Sequence, residues 1–451
     1  IQYTDMDAPP GTVFKPLHDN EIRFNGQPVA LVVASDFETA RYAATLVQLT
    51  YEEEKHETFL THHLDQARDP KKGLATLLKP PPPKPTGDFE QAYSQAHAKV
   101  DSQYRHVTEH HNPIELLATT TVYEGEGKLT IYDKTQGTVN DQVYVANIFG
   151  LRYKDVRVVA PFVGGAFGLG LRPQYQLFLC VMAAIELKRN VRLVLERKQM
   201  FGLGHRPQTL QRLRFGANAD GMLTALNHDV TGETSNYEDY AEIVADWSHK
   251  LYPAENTLFD YKLVRLDLPT PIDMRAPGGS TAVHAIECTM DELAYALKID
   301  PVELRLKNYA EVDPATEKPY TSKALRECYQ QAAAKFGWSG RNPVPGTMKR
   351  GNRLVGYGMA TGIWDAYQFP ARAQATLDKE GKLTIMNATT DIGTGTLTVM
   401  TQIAADQLGL DMADVTFKYG DSKMPFSMFQ GGSAMTASTG VAIVAATAEL
   451  R

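Results

Sequence analysis

Three cysteines, Cys180, Cys288 and Cys328, are all that the 451 residues contain, and no two share a C-x-x-C spacing. That excludes a four-cysteine iron–sulfur cluster or zinc knuckle built from this chain alone and leaves structural thiols. No run approaches the about 18 apolar residues of a membrane span, and Ile1 is followed by no signal-peptide pattern. The formal net charge is -7 and no Lys/Arg block stands out, which argues against a nucleic-acid partner, because a phosphate backbone rewards a basic face. Familiar catalytic signatures are missing too: no G-x-S-x-G elbow, no Walker A loop, no H-E-x-x-H, and Gly164–Gly170 do not satisfy G-x-G-x-x-G. Small-molecule chemistry remains, in a chain with 43% hydrophobic and 22% charged residues. At roughly 150 residues per domain it has room for about three domains.

Local pattern predicts an α/β protein. Pro28–Ala34 and Val47–Tyr51 read as strands flanking a helix that Ser35 and Glu38 open as a capping box and that runs to about Leu46. Lys79–Pro85, KPPPPKP, is a stiff extended linker and marks a domain boundary. Thr119–Tyr123 and Lys128–Tyr132 alternate across a glycine-bearing turn, and Ala373–Leu377 and Lys382–Met386 do so again, sharing the string GKLTI. Each hairpin leads into a polar glycine loop, so the two read as related domains meeting around one ligand. Asp300-Pro301-Val302-Glu303 starts a helix to about Tyr309, Met290–Ala296 is amphipathic, Asn342–Asn352 reads as a connection, and Gly440–Arg451 as an apolar helix. The spacing of His106, His110 and His111 suits a metal only on a helix, yet Pro113 and the β-branched Thr119–Val122 favour extended chain.

The richest stretch is Pro161–Gly170, PFVGGAFGLG, between the apolar Val156–Val163 and the helix-compatible Tyr175–Leu187, with Pro173 where a first-turn proline belongs. Backbone N–H groups at a glycine-rich helix start can hold an anionic or oxo-bearing ligand by main chain alone. Other loops share this aptitude: Gln136, Met274-Arg275-Ala276-Pro277-Gly278, Gly393–Thr396, and Gly431-Gly432-Ser433 with Thr436 and Ser438. They offer backbone donors, hydroxyls, a carboxamide and a guanidinium to an extended, phosphorylated cofactor.

In this order the motifs resemble the molybdenum-cofactor-binding large subunit of the xanthine dehydrogenase / aldehyde oxidoreductase family. The resemblance spans nearly the whole chain, from Asn25-Gly26-Gln27-Pro28 through His111-Asn112-Pro113, Thr135-Gln136, Gly164–Gly168 and Met274–Gly278 to Gln402–Asp406. It implies a partial α/β hammerhead domain (1–78), the linker (79–88), a first molybdopterin-binding domain (89–341) and a truncated second one (342–451). It also implies that Gln136 hydrogen-bonds an oxo ligand on molybdenum, with Arg275 on the cofactor or substrate side as the second catalytic residue. Gly165, Ala166, Phe167 and Gly168 would place a backbone amide and an aromatic edge beside the metal. Gly393, Thr394, Gly395, Thr396, Gly432, Ser433, Thr436 and Ser438 would hold the pterin and its phosphates. No side chain would ligate the metal, which the pterin dithiolene carries.

The implied reaction is hydroxylation of an aldehyde to a carboxylic acid with oxygen from water. Electrons would leave through an iron–sulfur small subunit with [2Fe–2S] clusters and an FAD-binding medium subunit, in a bacterial heterotrimer whose cofactor is the cytosine dinucleotide form. The compartment would be cytoplasmic or periplasmic, with any export through a partner. Leu171 stands where purine-oxidising relatives carry glutamate, which suits aldehydes better than purines. Thr394 replaces a frequent glutamine, and Leu116 a proline. The family's general-base glutamate is expected beyond Arg451, with Glu115 and Glu287 read as structural. The apolar helix Gly440–Arg451, interrupted in mid-pattern, together with the non-methionine start, suggests a fragment of a longer polypeptide. Rival readings are a cofactor- or partner-binding fragment without turnover, a purine or N-heterocycle hydroxylase of the same family, and an unrelated carbohydrate-active enzyme using paired carboxylates.

Overall fold

A computed structural model describes residues 14–71 and 81–451. Near the start, α1 (Phe37–Thr45) forms as expected, but its cap is Asp36, whose carboxylate accepts from the Thr39 amide at 2.8 Å. The expected cap, Ser35, instead bonds the Asp36 carboxylate at 3.0 Å. Pro28–Ala34 and Val47–Tyr51 form no strands. Their apolar pattern suits a strand, but a strand also needs a neighbour for its N–H and C=O groups, none pairs with them among the described residues, and Val29, Val33, Val47, Leu49 and Tyr51 remain exposed. Of the proline-rich linker, Lys79 and Pro80 lie outside the described residues, and 81–85 carry no helix or strand.

β1 (Ala98–His106) leads into the first hairpin, β2 (Ala118–Tyr123) and β3 (Leu129–Asp133), paired antiparallel as predicted. Gly125, Glu126 and Gly127 all take positive φ in the connecting turn, which explains the paired glycines. The helix α2 (Thr138–Ile148) carries the chain back to β4 (Val156–Val159), parallel to β3 with Leu129 opposite Val156. β4 stops at Val159 rather than Val163 because the next residues turn outward to bond Gly420 and Asp391. After the glycine loop comes α3 (Tyr175–Leu187), capped at Gln174, so Pro173 precedes the helix rather than occupying its first turn. β5 (Val191–Val194) completes the sheet beside β2.

A second sheet follows in the order β1-β6-β7-β8, from β6 (Thr209–Ala217), β7 (Leu223–Ser235) and β8 (Asn256–Leu266). Its apolar face packs against α4 (Gly279–Leu297), of which the predicted amphipathic stretch is only the last part. α5 (Pro301–Lys307) begins at the predicted cap, where the Asp300 carboxylate accepts from Val302 N, and ends before Tyr309. Within the expected connection 342–352, the chain enters a short antiparallel pair, Lys349–Arg350 with Arg353–Leu354.

The repeat is real at the level of topology. β9 (Gln374–Leu377) and β10 (Leu383–Met386) form the second hairpin, α6 (Thr396–Leu408) crosses back, and β11 (Val415–Lys418) runs parallel to β10 with Leu383 opposite Val415. Leu129 and Ile131 of the first GKLTI and Leu383 and Ile385 of the second are fully buried in their own cores. α7 (Met435–Ala448) packs on the second unit and replaces the shorter helix expected from Gly440. The two units are stitched together where β4 ends: Ala160 N donates to Gly420 O at 2.8 Å, Val163 N to Asp391 O at 2.8 Å, and Arg157 pairs with Asp421 at 2.6 Å. Among the described residues no helix is long and apolar enough to cross a membrane.

Candidate cofactor-binding site

Each polar glycine loop leaves the C-terminal end of a hairpin strand, so the repeated topology delivers both loops to the seam between the units. After β3, Gln136 is buried and its carboxamide oxygen accepts from Gly168 N at 3.1 Å and Gly170 N at 3.2 Å. Its Nε2 donates to Gln430 O at 2.6 Å, while its own carbonyl accepts from Gln430 N at 2.6 Å. Two of the cradle's N–H groups are thus bound to Gln136 rather than turned toward a ligand, and the Gly164 amide bonds the Glu115 carboxylate.

Phe167 has φ +56 and a partly exposed ring, Ala166 is buried, and Gly165 and Gly168 lie at φ +72 and +109. The Phe167 carbonyl accepts from Arg275 N at 2.8 Å, which brings Gln136, Phe167 and Arg275 into one connected group. The Arg275 guanidinium is exposed and has no hydrogen bond or ion pair among the described residues. Its loop is held instead by the buried Arg206, which donates to the carbonyls of Arg275 at 2.8 Å and Ala276 at 3.3 Å and pairs with Glu109 at 2.8 Å.

In the second unit, Gly393 and Gly395 have φ +99 and +78, and a Cβ on either would meet open space. Thr396, at the start of α6, is buried and accepts from Gln430 Nε2 at 2.8 Å; Thr394 accepts from the same atom at 3.4 Å. Gly432 and Ser433 follow Gln430 with φ +63 and +58, and the Gly432 carbonyl accepts from Trp364 at 3.0 Å. Ser433 and Thr436 are exposed at the start of α7. Ser438 is buried, donating to Ala434 O at 2.7 Å and accepting from Phe369 N at 2.8 Å, so its hydroxyl is largely engaged inside the protein.

Two residues that pattern reading missed organise the site. Gln430 joins the loops of both units, and only its position beside Gly431-Gly432 could have flagged it. Arg206 left no local signal. A third feature is the buried pair Asp133 and Asp141 flanking the Gln136 loop: burial pushes Asp133 up to about 6, and burial together with the Asp133 charge raises Asp141 well above the usual carboxylate range.

Other candidates fall elsewhere. Glu287 is enclosed by Arg305 Nε at 2.8 Å, Tyr252 OH at 2.5 Å and Thr361 N at 2.7 Å, a structural role as expected. His106 ends β1 against His284 at 3.1 Å, and His111 bonds the Asp273 carbonyl at 2.8 Å. Leu171 lies against Gly431, where an added Cβ would come within 2.6 Å of it. The residues fit a pterin-bound metal: open space beside Gly393 and Gly395, exposed hydroxyls at Ser433 and Thr436, and at Arg275 a cation that no carboxylate neutralises among the described residues.

Comparison with known proteins agrees. The molybdopterin cofactor-binding domain matches residues 78–309, a second such domain matches 331–451, and the aldehyde oxidase and xanthine dehydrogenase a/b hammerhead domain matches 2–55. The chain is 36% identical over 424 residues to the aldehyde oxidoreductase molybdenum-binding subunit PaoC of Escherichia coli O157:H7, covering 92% of this chain and 56% of that one. It is 29% identical to the putative xanthine dehydrogenase molybdenum-binding subunit XdhA of Escherichia coli K12, covering 90% and 55%. The chain therefore spans about half the length of the curated relatives it matches. The fold resembles the aldehyde oxidoreductase of Desulfovibrio gigas (TM-score 0.75, 23% identity, 92% of this chain and 47% of that one). It equally resembles quinoline 2-oxidoreductase of Pseudomonas putida 86 (TM-score 0.76, 22% identity, 95% and 58%). With these domains on this fold, the chain belongs to the xanthine dehydrogenase / aldehyde oxidoreductase family of molybdenum-cofactor-binding large subunits.

Proposed function

We propose that this chain holds the molybdenum cofactor of a hydroxylase that oxidises aldehydes to carboxylic acids, with the oxygen drawn from water. The observation that carries the reading is the connected chain of hydrogen bonds that runs from Arg275 and Phe167 through the neighbouring Gly168 to Gln136, and from Gln136 to Gln430 and Thr396 of the other unit. When bound, the cofactor supplies a two-electron redox centre.

The chain's part is to bind and orient. Gln136 keeps one amide hydrogen for a ligand acceptor, and Phe167 and Gly168 set the shape of the loop beside it. Arg275 meets negative charge on cofactor or substrate. Gly393 and Gly395 allow close approach of the pterin, while the hydroxyls of Thr394, Thr396, Ser433 and Thr436 suit its phosphate oxygens. The apolar Leu171 favours an aldehyde over a purine, which would leave ring nitrogens unpaired there. The chain divides, in this reading, into a hammerhead-like part (1–78), a linker (79–88) and two cofactor-binding domains (89–341 and 342–451). Iron–sulfur and FAD subunits carry the electrons away, a role no cysteine spacing of this chain can fill. The cofactor is the cytosine dinucleotide form; the name of the PaoC relative as a molybdenum-binding subunit supports a multi-subunit enzyme.

Metal and pterin analysis of the purified protein, with aldehyde-dependent dye reduction, tests the proposal. Molybdenum at about one per chain with turnover of aldehydes over hypoxanthine is the expected result. Absence of molybdenum from protein made in molybdate-replete cells overturns it, and molybdenum without turnover leaves a cofactor-holding role alone.

A further inference from the structure

We infer that Gln430 is a positioning residue: it sets the Gln136 carboxamide and the Gly168–Gly170 loop against the Gly393–Thr396 loop. The inference rests on the cofactor-site reading above. Gln136 and Gln430 are 294 residues apart and share two hydrogen bonds of 2.6 Å through the Gln430 main chain, whose carbonyl accepts from Gln136 Nε2 and whose N–H donates to the Gln136 main-chain carbonyl. Both are buried, and each carboxamide is bonded at both ends. Gln136 Oε1 takes the Gly168 and Gly170 amides, while Gln430 Oε1 takes the Thr390 hydroxyl at 3.2 Å and its Nε2 gives to Thr396 and Thr394.

A planar carboxamide held this way has no freedom left. Flipping Gln136 would turn its NH₂ onto two backbone N–H groups and its oxygen onto the Gln430 carbonyl, leaving buried donors and acceptors unpaired. Its second Nε2 hydrogen therefore points in one direction only, set jointly by the two units. The Thr396 hydroxyl is likewise oriented: by accepting from Gln430 it directs its own hydrogen elsewhere. Gln430 thus acts on Gln136 through its main chain and on Thr396 through its side chain, and ties the cofactor-binding loops of the two domains into one rigid frame.

The test is backbone hydrogen exchange on the full chain without cofactor, read in peptides covering 164–171 and 393–397. Gln430→Leu keeps the main-chain bonds to Gln136 and removes the side-chain bonds to Thr390, Thr394 and Thr396, so exchange in 393–397 is expected to rise roughly tenfold. Gln136→Leu, which frees the Gly168 and Gly170 amides, is expected to raise it in 164–171; β6 and β7 stay protected in both. Gln430→Glu, isosteric and able to accept from the same threonine hydroxyls, is expected to restore much of the protection at 393–397. If Gln430→Leu unfolds the chain, Gln430→Glu and Thr396→Val carry the comparison, the latter loosening 393–397. Unchanged exchange at 164–171 and 393–397 in the folded variants overturns the inference even if the wild-type protein contains molybdenum. Loss of protection in protein that never acquires molybdenum upholds the frame and sinks the cofactor reading instead. In loaded protein, the rate of molybdenum loss should rise for Gln430→Leu and for Gln136→Leu, with the double variant no worse than the worse single one.

Discussion

The amide of Arg275 donates to the carbonyl of Phe167 at 2.8 Å, and this bond brings Arg275, whose guanidinium has no ion pair among the described residues, to the edge of the glycine loop. The approach is possible because the next residue is Gly168, with φ +109, where an added Cβ would lie 2.1 Å from the Asp273 carbonyl oxygen. Gly168→Ala is expected to cost more than about 2 kcal/mol, against about 1 kcal/mol for Gly125→Ala, whose Cβ meets nothing within 4 Å. Equal losses in thermal or urea unfolding would refute the close-packing argument.

Arg275 itself is exposed and unpaired, so removing its charge should leave the fold intact. Arg275→Met is expected to change stability by less than about 0.5 kcal/mol while lowering cofactor retention or aldehyde turnover at least tenfold. A large fall in melting temperature without change in cofactor content would assign it a structural role.

Arg305 is the opposite case. Fully buried, it pairs with Glu287 and Asp291, each at 2.8 Å. Arg305→Leu strands two carboxylates and is expected to cost about 3–5 kcal/mol in urea unfolding. A neutral result would mean that the helices relax to admit water.

The Asp133–Asp141 pair makes stability depend on pH. Burial raises Asp133 to about 6 and Asp141 well above its ordinary 3.8, so the folded chain binds more protons than the unfolded one across this window. Stability from this source is complete below about 4 and is lost as pH rises through the folded values. Asp141→Asn removes one titration and still offers an amide to Asp133. Relative to wild type it should gain stability progressively as pH rises from 5 to 8. Parallel unfolding curves for the two proteins over that range would disprove the coupling.

Local chemistry was readable where it stayed local. The hairpin carrying GKLTI appears twice because side-chain alternation and glycine at the turn are properties of neighbouring residues, and the Asp300-Pro301 helix start needs only four. Pro28–Ala34 is a continuous apolar run of the kind that suits a buried strand yet forms none, since pairing depends on a partner that pattern cannot supply. Leu129 and Leu383 could be matched by their shared string. That each faces a valine on a returning parallel strand emerged only once α2 and α6 had crossed back.

From residue order alone came the family, the two related units and the loops proposed to hold the cofactor, because glycines, hydroxyls and one arginine in a set sequence are short-range information. The partners of those groups came from folding. Gln136 was expected to turn toward a metal, and the folded chain spends three of its carboxamide's bonding positions on Gly168, Gly170 and Gln430. A buried amide takes the orientation that satisfies whatever surrounds it, and here part of those surroundings arrives from 294 residues away.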